Sequence, residues 1–276
     1  MKRPGALPSR LSLRLAYRAP DVRWASAARL WQRNVANYAH TWMMNILPNF
    51  FEPFFYLLAI GFGLGRFVES VGGVEYARFI APGLAAVSAM YGCVFDATFN
   101  VFVKLHFDRL YDAVTAAPLT PEDVVAGELL WSLTRGLLYG VPFVLIAAGF
   151  GLVHSPWVVL TPVAIVLIGW AFGTIALTYT SLIPSIDLYS FFFTLFVTPM
   201  FLFSGIFFPI ETLPGWAQPL AWFSPLYHAA AMMRELFGAV GPTDPLAAAG
   251  HGLWLAALGA LLYPVAPNVF RHRLIA

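Results

Sequence analysis

Four ionisable residues sit where the chain is otherwise apolar: Glu52, Asp96, Glu128 and Arg135. A charge inside a membrane-length apolar stretch is expensive, so each must face protein or water rather than lipid. Glu128 and Arg135 lie two helical turns apart on one side, about 10 Å along the axis, too far for a direct bond. Arg135 is therefore expected to pair with Asp96 or Glu52 on a neighbouring helix. Such a pair can be a packing device or a contact for a transported solute, and the residue types alone fit both. Other chemistry is poorly supplied. The six histidines have no paired spacing, which argues against a metal site, and the single Cys93 excludes an intrachain disulfide. No G-x-x-x-x-G-K-[ST] phosphate loop occurs. A membrane-embedded acyl or glycosyl transferase would need convergent His, Asp or Glu near one interface, whereas the acids here are dispersed. No cofactor and no nucleic-acid partner are expected.

The elements holding these residues are apolar helices. Of 276 residues, 59% are hydrophobic and 11% charged, against about 25% charge in soluble domains. The expected fold is an all-α membrane protein with six transmembrane helices, at about 46–65, 79–103, 124–151, 157–180, 189–208 and 246–266. Residues 1–45 would form a basic tail and an amphipathic helix, and 46–276 the transmembrane domain. Trp24, Ala28, Trp31, Val35, Tyr38 and Trp42 fall on one helical stripe, which suits a helix lying in the membrane interface or one packed on protein. Gly61 and Gly65, and Gly169 and Gly173, have the four-residue spacing that permits close helix packing. Thr120 followed by Pro121 marks a helix start, with Thr120 as N-cap. Eight of the sixteen lysines and arginines precede Asn45. With Lys104, Arg109, Arg271 and Arg273 they outweigh Arg66, Arg78 and Arg234, which places both termini in the cytoplasm.

The stretch Phe191–Phe208 is charge-free and about long enough to cross a hydrocarbon core. Pro209, Pro214, Pro219 and Pro225 then cut the following apolar sequence into pieces too short to span. Pieces of this length are interfacial or re-entrant helices, or an apolar loop with Trp216 and Trp222 at the headgroups.

Pro199, Ser204-Gly205, Pro209, Leu213-Pro214, Pro225-Leu226 and Arg234 resemble, in order and spacing, the signature of ABC-2 type transporter permeases. Pro53, Ser88-Ala89-Met90 and Thr198-Pro199-Met200 before Ser204-Gly205 are similar to the branch of nodulation lipo-oligosaccharide export permeases. The likeness runs from about Arg33 to Gly238. It implies an N-terminal interfacial helix, and a re-entrant helical hairpin between spans five and six. Ser204, Gly205, Pro209, Pro214, Trp216, Pro225 and Arg234 would then shape an exit. It also implies a coupling helix between spans two and three, with Phe107, Asp108, Arg109, Tyr111 and Asp112 touching an ATPase. Two copies of the chain would pair with two copies of that ABC ATPase in the bacterial inner membrane, among membrane lipids, and export an amphiphile. Walls from the first and fifth spans would include Phe51, Phe54, Phe55, Tyr56, Phe192, Phe196 and Phe203. Drug or antibiotic efflux is the alternative cargo. A secondary transporter would show discontinuous helices in both halves, and the sequence has one broken region.

Overall fold

The computed structural model describes residues 20–68, 70–71, 73–106 and 119–275, with side chains described except at 41–50, 52, 53 and 272–275. The expected coupling residues Phe107, Asp108, Arg109, Tyr111 and Asp112, and the side chain of Glu52, lie outside the described set. Among the described residues the fold is all-helical. A backbone in hydrocarbon must satisfy its own polar groups, and a chain with mean hydropathy +0.72 does so as helices.

Helix α1 is Trp24–Tyr56, continued by a π-helical stretch, Leu57–Gly63, and a 3-10 turn, Leu64–Arg66. Helix α2 is Tyr76–Phe95; a second π-helical stretch, Asp96–Asn100, joins it to α3, Val101–His106. Helix α4, Pro121–Gly149, and α5, Thr161–Leu182, are the long helices that follow. Then α6, Tyr189–Phe191, runs through a third π-helical stretch, Phe192–Val197, into α7, Thr198–Phe203. Two shorter helices, α8 (Ala217–Trp222) and α9 (Pro225–Phe237), precede α10 (Pro245–Leu262) and α11 (Val265–Ile275).

Five described helices are long and apolar enough to cross a membrane: Tyr76–Leu105, Pro121–Gly149, Pro156–Leu182, Ile186–Phe203 and Pro245–Arg271. The stretch expected as the first span contributes a shorter apolar helix, Phe54–Arg66. Two further differences from the sequence reading have local causes. The helix expected to end at 208 stops at Phe203, because Gly205 takes a left-handed conformation at φ +72. A Cβ there would also stand 2.9 Å from Ile210 Cγ2. And α1 shows no break at 45, where an interfacial helix was expected to end; it runs on through Pro48 and Pro53 to Tyr56. Its first half packs on α4, with Ala27, Leu30 and Asn34 buried and Trp31 Nε1 donating to Thr134 Oγ1 at 2.9 Å. Of the expected stripe, Trp24 stays exposed.

The core is centred on α2, the most buried of the long helices, which packs against α4, α5 and α9. Small residues make that possible, since close backbone approach drives helix association in lipid. A Cβ on Gly92 would lie 2.8 Å from Arg135 O, and one on Gly136 would collide with Cys93 Sγ. The two predicted glycine pairs also meet neighbours. Gly61 and Gly65 face Ala77 and Tyr76; Gly169 and Gly173 face Leu133 and Leu129. The start of α4 is fixed locally. Thr120 Oγ1 accepts from Asp123 N at 3.3 Å, and Asp123 Oδ2 accepts from Thr120 N at 3.0 Å. This reciprocal capping box has Pro121 in the first turn.

Candidate functional site

One face of α2 carries Leu84, Val87, Ser88, Tyr91 and Phe95, and Phe99 extends the stripe through the π-helical stretch. These residues recur at three- and four-residue steps, so they line one side of the helix. They wall a cavity of about 900 Å³, closed on other sides by Tyr56, by Tyr139 and Phe143 of α4, and by residues of the Ile186–Phe203 span. From Leu84 to Phe99 the stripe extends about 22 Å along the axis. The wall is stiffened by ring contacts: Phe95 and Phe193 stack at 5.1 Å, and Phe99 and Phe193 at 5.7 Å. The polar lining consists of Asp187 and Ser190 at one end, Ser88 toward the other, Thr198, and the tyrosines Tyr56, Tyr91, Tyr139 and Tyr189. The cavity thus offers an apolar, aromatic slot with a polar end, a combination suited to an amphiphile.

Of the seven aromatics expected to wall a pathway, Tyr56 lines this slot. Phe51, Phe55, Phe196 and Phe203 are exposed, and Phe192 is buried against Tyr179.

The intramembrane charges stand behind the slot rather than in it. Arg135 Nε lies 3.9 Å from Asp96 Oδ1, so Asp96 is the described partner of the two expected. The guanidinium sits between two rings, 4.7 Å from Tyr38 and 5.1 Å from Tyr139, and Nη2 donates to Tyr139 Oη at 3.3 Å. Asp96 Oδ1 also accepts from Trp131 Nε1 at 3.0 Å and from Asn100 Nδ2 at 2.8 Å. Glu128, as its distance from Arg135 requires, finds other partners. Lys104 Nζ is 2.7 Å from Glu128 Oε2, and Asn34 bridges both side chains. The Asp96 and Glu128 carboxylates are each met by a basic side chain and by neutral hydrogen-bond donors, which offsets part of the cost of burying them.

The residues singled out after Phe203 divide into two groups. Ser204, Gly205, Pro225 and Arg234 come together. Arg234 Nη2 donates to the carbonyls of Gly205 and of Ile206, the latter at 3.3 Å, while its guanidinium lies 4.3 Å from the Phe79 ring centre. Ser204 Oγ and Ser224 Oγ are 2.6 Å apart, beside Pro225 in the first turn of α9. One cation thus ties α9 to the turn that ends the preceding span and to α2. Pro209, Pro214 and Trp216 lie apart from this tie, on the intervening loop, with Trp216 exposed.

A histidine pair escaped the sequence reading. His228 and His251 face each other Nδ1 to Nδ1 at 2.8 Å, joining α9 to α10, and His228 stacks on Trp254 at 4.1 Å. They are 23 residues apart on separate helices, so no local spacing signals the pair. Among the described residues, no group of three or more His, Cys, Asp or Glu could hold a metal.

Comparison with known proteins places this architecture. The family described as ABC-2 type transporter matches residues 27–237. Nodulation protein J of Sinorhizobium fredii (strain NBRC 101917 / NGR234) is 36% identical over 205 residues, covering 74% of this chain and 78% of that protein. Nodulation protein J of Bradyrhizobium diazoefficiens is 30% identical over 246 residues, 89% and 93% of the two chains. The inner membrane transport permease YadH of Escherichia coli is 26% identical over 231 residues, 80% and 85% of the two. With its apolar helices, the described fold and these relatives, the chain is a multi-pass membrane permease belonging to the ABC-2 type transporter family.

Proposed function

We propose that the chain is the permease subunit of an ATP-driven exporter that moves an amphiphile, a lipo-oligosaccharide or related glycolipid, outward across the bacterial inner membrane. The observation that carries this reading is the aromatic slot along α2. Phenyl and phenol faces accept an acyl chain without stranding polar groups, and Asp187 and Ser190 offer a polar end to a head group. Aromatic, largely apolar lining with few polar groups is the usual composition of a site that takes such ligands. The relatives named nodulation protein J support the sugar-bearing cargo. The sequence has no phosphate loop, and membership of the ABC-2 family supports a separate ABC ATPase as the energy source, in two copies, bound to two copies of this chain. Residues Phe107, Asp108, Arg109, Tyr111 and Asp112 contact that ATPase. Both termini face the cytoplasm, and the loop carrying Pro209, Pro214 and Trp216 faces outward as part of a re-entrant return near the exit. Exposed Phe191, Leu195, Phe196, Leu202 and Phe203 turn toward the second copy.

Deleting the gene and profiling both secreted glycolipids and drug tolerance tests the cargo. Loss of a secreted acylated oligosaccharide supports the proposal. An unchanged glycolipid profile with lowered drug tolerance refutes it and assigns the slot to hydrophobic drugs.

A further inference from the structure

The first turn of α4 carries two adjacent acids, and both are buried: Glu122 at 3% exposure and Asp123 at 0%. Each is gripped by an arginine from an opposite end of the chain. The Asp123 carboxylate accepts from Arg23 three times, from backbone N at 2.7 Å, Nε at 3.0 Å and Nη2 at 2.7 Å. It also accepts from Thr120 N at 3.0 Å. Glu122 Oε1 forms an ion pair with Arg271 Nη2, from α11. Arg23 immediately precedes α1. The first and last described helices therefore both meet one helical turn.

Two observations make this more than a surface decoration. The turn follows in sequence the segment carrying Phe107, Asp108, Arg109, Tyr111 and Asp112, read above as facing the ATPase. And α1 does not leave α4 after Arg23. Asn34 meets Glu128, Tyr38 meets Arg135, and Phe54 stacks on Phe150 at 5.9 Å, in the same order along both helices. The two helices run parallel and side by side, and α1 ends at Tyr56, in the slot wall. The base of α4 thus contacts α1, which reaches the slot wall at Tyr56, and through Arg271 it contacts α11.

We propose that Glu122 and Asp123, clamped by Arg23 and Arg271, form the junction that passes movement of the ATPase-facing segment to the first and last spans together. None of the four touches the slot, so they are positioning residues. The proposal rests on the ATP-driven reading given above.

The test uses the intact complex with its ATPase in proteoliposomes and a fluorescent N-acyl oligosaccharide as probe. The readouts are probe moved per ATP hydrolysed and the melting temperature of the complex. Arg23→Gln and Arg271→Gln each lower probe moved per ATP by about fivefold or more, the lower range of typical coupling between sites. The double variant falls no further than the worse single one, because both act through one turn. Arg23→Lys, which keeps the charge, recovers at least half of the lost coupling. Probe moved per ATP at the wild-type value in both single variants overturns the proposal, even where melting temperature drops. So does an Arg23→Lys variant no better than Arg23→Gln. A wild-type complex that hydrolyses ATP but moves no probe sinks the exporter reading itself, and the junction with it.

Discussion

Replacing Arg234 with methionine isolates what one cation contributes to the segment after Phe203. Methionine keeps an unbranched stem of similar reach, so packing beside Phe79 is largely retained while the guanidinium is lost. The wild-type group donates to the carbonyls of Gly205 and Ile206 and lies over the Phe79 ring. Its contact with Phe79 O, at 3.5 Å, is too long to count for much. Hydrogen bonds to a charged group contribute about 1.5–3 kcal/mol each, and a cation over an aromatic ring about 0.5–2 kcal/mol. These are not additive, because one guanidinium makes all of them. A loss of about 3–4 kcal/mol is expected, inside the range for named single-site mechanisms. For a chain of this size that corresponds to about 10 °C in melting temperature. Melting of the purified protein in detergent, followed by tryptophan fluorescence, reads it directly. Arg234→Lys keeps one donor and the ring contact and should fall between the two. A methionine variant melting within about 2 °C of wild type would show that the turn is held by other contacts and that the tie is incidental.

Gly136→Ala should lower stability by about 1–3 kcal/mol, since the new methyl runs into Cys93 Sγ; Cys93→Ala in the same chain should recover most of the lost melting temperature. Ser88→Trp places a large ring in the slot beside Tyr139. It should reduce uptake of a labelled N-acyl oligosaccharide into inside-out vesicles by about tenfold or more, and wild-type uptake would show that cargo travels elsewhere. The orientation is tested by single cysteines in a Cys93→Ala background. An impermeant thiol reagent applied to intact cells should label Gln218→Cys and leave Asp112→Cys untouched; the reverse pattern overturns the placement of both termini.

What the sequence disclosed follows how local each signal is. The start of α4 was readable because Thr120, Pro121 and Asp123 lie within four residues and cap one turn. The tie between Arg234 and Ser204-Gly205 was readable in part, as a set of residues without a geometry; the left-handed Gly205 and the Phe79 contact supply the missing half. Arg135 demanded a carboxylate wherever one could be found, and Asp96 met the demand. The slot was harder. Helix α2 is apolar nearly all round, so its sequence has no polar face to show which stripe borders open space. Phe51, Phe55 and Phe196, read from the sequence as walls of a pathway between two copies, are exposed on the described chain and do not line the slot. The pairing of His228 with His251 depends on how α9 lies against α10, which no spacing encodes. The unbroken α1 was not legible: Pro48 reads as a place for a helix to stop, yet α1 passes through it, and the tryptophan stripe suits a protein neighbour as well as a lipid surface.

Three of the helices around the slot contain a widened turn: Leu57–Gly63 next to Tyr56, Asp96–Asn100 holding Phe99, and Phe192–Val197 holding Phe193. Such a turn is an α-helix carrying one surplus residue, a form often found where function resides. Its consequence is evolutionary. Deleting a single codon within any of the three would restore ordinary helix and leave the side chains on either side facing as before, with no loop rebuilt and no hydrogen-bonding group lost to lipid. Lineages built on this scaffold can therefore reshape the cavity at one turn, by one small deletion, while the rest of each wall keeps its facing. That change would show in an alignment only as a lone gap inside a membrane helix.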